Sequence, residues 1–181
     1  MRKTVYGVGG ASLAALGAAL VVALACGPAR SEGPKPGKVR IGTYETRAIT
    51  AASVRSKFFE EYLADLQAKR KEFEAAGDAK GVAEIEKEGA RRQAQVHWQG
   101  FGNMPVDDHL APIKASFPGI CKEANISAIA SGVVYADDGV ELVDVTDLLV
   151  KQYEPSEKTL KIITELRKQP PIEFDPDLHC D

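Results

Sequence analysis

Between Thr50 and Ala76 the chain contains no glycine or proline and is rich in Ala, Glu, Lys, Arg and Leu, the residues that lose least in a helix. Phe59, Tyr62, Leu66, Phe73 and Ala76 recur at steps of three and four, with Lys69 interrupting, and Gly77-Asp78 supplies a helix stop. Lys80 to Val96 repeats the rhythm more weakly through Val82, Ile85 and Val96, with Gly89 and Arg92 falling in the seam. Two arms of this kind, about 35 to 40 Å long at 1.5 Å per residue, predict an antiparallel coiled-coil hairpin turning near Gly77 to Gly81. The alternative is two surface helices laid on a domain. From Ala51 to His97 basic and acidic residues balance, which fits a solvated face pairing with itself.

Outside the arms the elements are short and broken. Val39 to Tyr44 reads as a first strand, weakened by Gly42. His97 to Pro105 breaks the helix with Gly100, Gly102 and Pro105, and its Trp98, Phe101 and Met104 are expected to pack into the base of the hairpin; an apolar contact patch is the other reading. Asp107-Asp108-His109 has metal-ligand residue types, but two acids there also suit the first turn of the next helix. Leu110 to Ala124 is helical and punctuated by Pro112 and Pro118-Gly119, so the return arm is shorter or kinked and the hairpin region extends over about residues 50–124. Ile126 to Ala130 and Val133 to Ala136 form an expected strand hairpin across Ser131-Gly132. Val143-Asp144-Val145-Thr146-Asp147 then leads into a short helix, with Asp144 or Thr146 accepting an amide at its start. Pro155-Ser156-Glu157 opens one more helix, carrying Leu160, Ile163 and Leu166 and expected to cover the sheet, before an acidic tail. The predicted fold class is α+β: a small three-stranded sheet with a protruding helical hairpin and C-terminal helices.

The beginning of the chain points to export. Arg2 and Lys3 precede an uncharged run from Ala11 to Ala25 that ends in Ala23-Leu24-Ala25, immediately before Cys26. Three outcomes are open: cleavage after Ala25, lipidation of Cys26, or an uncleaved anchor, the last disfavoured because a span needs about 20 apolar residues. Residues 26–38 contain three prolines and three glycines and read as a flexible linker. In an oxidising compartment Cys121 and Cys180 either pair or stay free thiols; a bond closing that loop would stabilise the fold by roughly 4 kcal/mol. Setting Arg2 and Lys3 aside leaves 21 basic against 26 acidic side chains, which argues against nucleic acid as a partner.

The order VVYAD, VDVTD, LLVKQY between Val133 and Tyr153, with KVRIGTYETRAI at Lys38 to Ile49, resembles the closing and opening segments of the Skp/OmpH-like periplasmic chaperones. The likeness covers residues 39–153 in outline, with residues 1–25 as signal and residues 154–181 as an added helix and tail. It implies a homotrimer whose sheets meet in a body while the hairpins project as arms. It also implies a holdase that works without ATP on unfolded outer-membrane or exported polypeptides, in the periplasm or cell envelope. Phe59, Tyr62, Leu66 and Phe73 are then the seam or client-contact residues. The other function class is an envelope lipoprotein scaffold or adaptor with no chaperone activity.

Sequence motifs for catalysis are missing. There is no nucleophile elbow, no phosphate loop and no zinc spacing among His97, His109 and His179, so neither an enzyme nor a cofactor is expected.

Overall fold

In the computed structural model β1 (Val39–Thr43) is the middle strand of three. Its partners are β2 (Ala128–Ala130) on one side and β3 (Val140–Asp144) on the other, and both pairings are parallel. Ile41 sits opposite Ala128 and Leu142, and Thr43 opposite Ala130 and Asp144. The chain divides into two units, Met1–Pro36 and Gly37–Asp181, and the structure describes residues 37–172 of the second. The expected signal, most of the linker, Cys26, Cys180 and the acidic tail all lie outside the described residues.

The α+β class holds, with a different third strand. Residues 133–136 are not a strand; Val134 and Tyr135 stand in solvent, and the extended segment beside β1 is β3, a few residues further on. The expected strand hairpin is therefore absent among the described residues. The run Val133-Val134-Tyr135-Ala136 has high β-propensity, but propensity only states that a segment fits a half-buried pleated surface. Here β1 is already bonded on both edges, which leaves this run no place beside the central strand.

The predicted continuous helix over Thr50 to Ala76 is also two. α1 (Thr46–Ser53) is capped by Glu45, whose carboxylate accepts from the Ala48 amide at 2.7 Å, and it ends in a turn at residues 54–56. α2 (Lys57–Ala75) then departs, and α3 (Ala79–Phe101) returns beside it. Gly77 takes a left-handed φ of 67°, the conformation that closes a helix C-terminus. Asp78 caps α3 by accepting from the Gly81 amide. Antiparallel pairing is visible in the ion pair Arg70–Glu86 and the hydrogen bond from Tyr62 to Glu88.

The hairpin ends at Phe101, well before residue 124, because Gly100 stays inside α3 and Gly102 terminates it. Beyond Gly102 the chain builds the base. α4 (Asp107–Leu110), a 3-10 segment (Ala111–Ser116) and α5 (Phe117–Ala124) fold back on α1 and one another, with prolines in the first turns of the last two. Asn125 adopts φ 50° and lets Ile126 N–H bond back to Cys121 O, which turns the chain into β2.

α6 (Thr146–Lys151) comes directly after β3. Asp144 accepts from the Thr146 amide at 2.8 Å, while the Thr146 hydroxyl accepts from the Glu45 amide at 3.0 Å, so the ends of β3 and β1 are tied. α7 (Glu157–Leu166), capped by Ser156, packs on α1 and does not cover the sheet as expected.

The core gathers Ala48, Ile49 and Ala52 of α1 with Val106, Ile113, Ile120, Val145, Leu149 and Ile163. Gly42 belongs to it: a side chain there would meet the Ile126 methyl at 2.5 Å and Val145 at 3.1 Å. The glycine that weakens the strand in sequence is what lets two core residues close over its middle.

Candidate functional site

Where the hairpin leaves the base, α1, α2, α3 and α7 enclose an open groove of about 510 Å³. Phe59, Tyr62, Leu63 and Leu66 come from α2, Val96 and Phe101 from α3, and Ile162 and Leu166 from α7. These positions meet because α2 turns its three-and-four stripe toward α3, while α3 answers with Gly89 where a large side chain would fill the space. No atom lies within 4 Å of where a Gly89 Cβ would stand. The interruption in the seam is thus the room in the groove.

Its polar rim carries two guanidinium groups, those of Arg55 and Arg92, together with His97 and Gln93. The Arg92 guanidinium lies 5.9 Å from the Phe59 ring centre and 5.7 Å from that of Tyr62, while bonding to Asp108 on α4. One Arg92 nitrogen, Nε, is buried with no hydrogen-bond partner. Arg55 donates to the Ala51 carbonyl and has no carboxylate partner among the described residues. The His97 ring rests 4.9 Å from Phe101. Burial and the Glu88 carboxylate push the Tyr62 hydroxyl up, so it remains a donor. Such a surface binds apolar groups and tolerates anions beside them; it presents no activated nucleophile.

Of the four contact residues expected from sequence, Phe59, Tyr62 and Leu66 share this groove. Phe73 does not; its ring covers Gly81 near the hairpin turn, where an added Cβ would fall 2.4 Å from it. Leu63 and Val96 are outside the expected contact set, although Leu63 stands next to Tyr62 and Val96 belongs to the stripe of the second arm. Arg55 and Ile162 have no signal in sequence, and Leu166 is marked only as part of the apolar stripe of its own helix; all three reach the groove through the fold. Cys121 is a free, half-buried thiol on α5, and its expected partner Cys180 lies outside the described residues.

A second polar constellation lies beneath the groove. Gln99 donates through Nε2 to Pro105 O and to Asp108 Oδ1, both at 2.7 Å, which fixes its amide and leaves Oε1 to accept from His109 Nε2 at 2.9 Å. His109 Nδ1 then accepts from the Ser53 hydroxyl at 2.8 Å. Hydroxyl, imidazole and amide in this order have the logic of an acyl-transfer site. Burial decides otherwise: Ser53 is 4% and His109 1% exposed, and α1 offers the groove Thr50 and Ala51 instead. The trio is a pin joining α1, α3 and α4.

Burial pushes the His109 imidazole down to about 4, against the pull of Asp108 and with Arg92 acting the same way as burial. Asp107 and Asp108 do occupy the first turn of α4, but neither caps it by a side-chain hydrogen bond; Asp108 turns to Arg92, Gln95 and Gln99 on α3. Among the described residues no three His, Cys, Asp or Glu side chains are grouped to hold a metal ion, and no helix is long and apolar enough to cross a membrane. No protein-family profile, curated protein or solved structure matches the chain.

Proposed function

We propose that the protein is an exported holdase of the Skp/OmpH-like kind, holding apolar segments of unfolded outer-membrane or exported polypeptides without ATP. The observation that carries this reading is the groove at the hairpin root, where half-buried Phe59, Tyr62, Leu66 and Val96 and exposed Leu63 and Phe101 form a concave apolar surface apart from the core of the base. An exposed, concave apolar surface of this size fits short unfolded segments. The Arg55 guanidinium on its rim gives acidic flanks of a client a favourable place. Export rests on the Arg2-Lys3 start and the apolar run before Cys26.

Assembly into a homotrimer is part of the same proposal. It is supported by Val134 and Tyr135, which are 108% and 81% exposed, and by the outer edges of β2 and β3, which lack strand partners among the described residues. An unpaired edge beside a β-prone, apolar run is a surface another copy can use. Light scattering at micromolar concentration is expected to give the mass of three chains; a monomer removes this part.

The decisive experiment is suppression of aggregation of an unfolded outer-membrane protein by the purified chain. Suppression by the wild type, lost in a variant carrying Phe59→Ser and Leu66→Ser, is expected. No suppression by a folded wild type leaves the second reading, an envelope scaffold or adaptor. That alternative is favoured by the self-paired charges of the arms, such as Lys69–Asp65 and Arg70–Glu86, and by their modest length. Mass spectrometry of the native N-terminus decides between a lipid on Cys26 and cleavage after Ala25.

A further inference from the structure

Three features converge at one rim of the groove. Leu166, the last residue of α7, lines it, and the chain beyond α7 comes back to the end of α3, where the Ile172 amide donates to Phe101 O at 2.8 Å. The Ile172 carbonyl stands against Gly102. The described chain therefore ends beside Phe101, itself a groove residue.

From there the sequence reads Glu173-Phe174-Asp175-Pro176-Asp177-Leu178-His179-Cys180-Asp181. It has no Lys or Arg, four acids, and two large apolar residues four positions apart. Along α3 the groove runs from Phe101 to Gly89, roughly 18 Å at 1.5 Å per residue. Nine residues can span about 30 Å, so the length suffices. Phe174 and Leu178 fall on the same side of an extended chain, about 13 Å apart. That spacing matches one apolar group near Phe101 and Val96 and another near Phe59 and Leu66. The acids between them match Arg55 on the rim, which lacks a carboxylate partner among the described residues.

We propose that this acidic segment seats in the groove of its own chain, with Phe174 and Leu178 as anchors, and thereby competes with any other apolar polypeptide for the same surface. The competition rests on the client-binding reading above; the seating does not. As an intramolecular occupant its effective concentration is high, so it sets a threshold that a client must exceed.

The test uses the full chain under reducing conditions, so that the thiols do not decide the outcome. With the dye anilinonaphthalene sulfonate as probe, Phe174→Ser with Leu178→Ser is expected to raise fluorescence several-fold over wild type. Adding Leu66→Glu to that variant should return it to the wild-type level. A photo-cross-linking residue in place of Phe174 is expected to react with α2 or α3 of the same chain. Equal dye binding by wild type and the doubly substituted chain overturns the proposal. So does cross-linking between chains that rises with concentration, which would make a second copy the occupant. Neither readout depends on chaperone activity. If aggregation is not suppressed but dye binding rises as expected, only the client reading fails; if aggregation is suppressed and dye binding is unchanged, only the seating fails.

Discussion

α1 and α2 are consecutive helices cut from one glycine- and proline-free stretch, yet they live under different rules. In α1 every residue from Arg47 to Ser53 is buried, and small side chains such as Ala48, Ala51 and Ala52 let α3, α6 and α7 approach closely. In α2 no residue is buried. Local devices carry it instead: the Lys69–Asp65 and Arg70–Glu74 pairs at i,i+4 and a one-sided contact with α3. Helical propensity is common to both. What separates them is the turn at residues 54–56, where the Ser56 hydroxyl donates to Ser53 O and redirects the chain out of the base. A helix can thus be specified by its sequence while its burial is specified by what it meets.

The contrast can be broken most forcefully in the base. Leu149→Ala or Ile49→Ala, at fully buried positions, is expected to cost about 2 to 5 kcal/mol in urea unfolding, whereas Leu66→Ala on α2 should cost about 1 kcal/mol or less. Equal losses would mean that the arm is as tightly packed as the base.

Acid sharpens the same division. Unfolded, His109 takes a proton below about 6.5; folded, it resists until about 4. Its neutral form therefore contributes stability that is complete above the unfolded value and declines as pH falls through that window. The loss amounts to about 3 kcal/mol by pH 4 at 1.36 kcal/mol per unit. Asp108 and Asp144 are held below the usual carboxylate range, so their contributions persist through that window and fade at still lower pH. Thermal melting of the base should fall from pH 6.5 to 4, and His109→Gln should flatten that slope.

Gln99→Leu leaves the His109 N–H, Pro105 O and one Asp108 oxygen without their partner and is expected to cost about 1 to 3 kcal/mol at neutral pH, measured by urea unfolding. The smallest effect belongs to the arm. Gly89→Ala meets no atom within 4 Å and should stabilise α3 by roughly 0.5 to 1 kcal/mol, seen as a higher melting temperature.

The arm was legible because its signals are local. Phe59, Tyr62 and Leu66 sit at helical spacing, and Gly77-Asp78 marks the turn, so both helices and three groove residues follow from period alone. The first strand and the start of α6 at Asp144 and Thr146 follow from turn and cap chemistry. The third strand did not follow, since Val133 to Ala136 outranks Val140 to Asp144 in β-propensity and only the pairing of β1 decides between them. The pin was hidden for a related reason: Ser53, Gln99 and His109 lie on three helices, and nothing in spacing connects a serine at the end of one to a glutamine near the end of another. The groove's fourth wall, Ile162 and Leu166, required knowing that α7 packs on α1.

The central place of β1 has a bearing on how the molecule is made. Both of its neighbours come about a hundred residues after it or just short of that, so a chain made from its first residue onward carries an unsatisfied strand and the apolar face of α1 through most of its synthesis. α2 and α3 need only each other and can wind up as soon as they emerge. The base must wait until Asp144 has arrived. For that interval β1 and the apolar face of α1 stand without the neighbours that cover them in the finished fold.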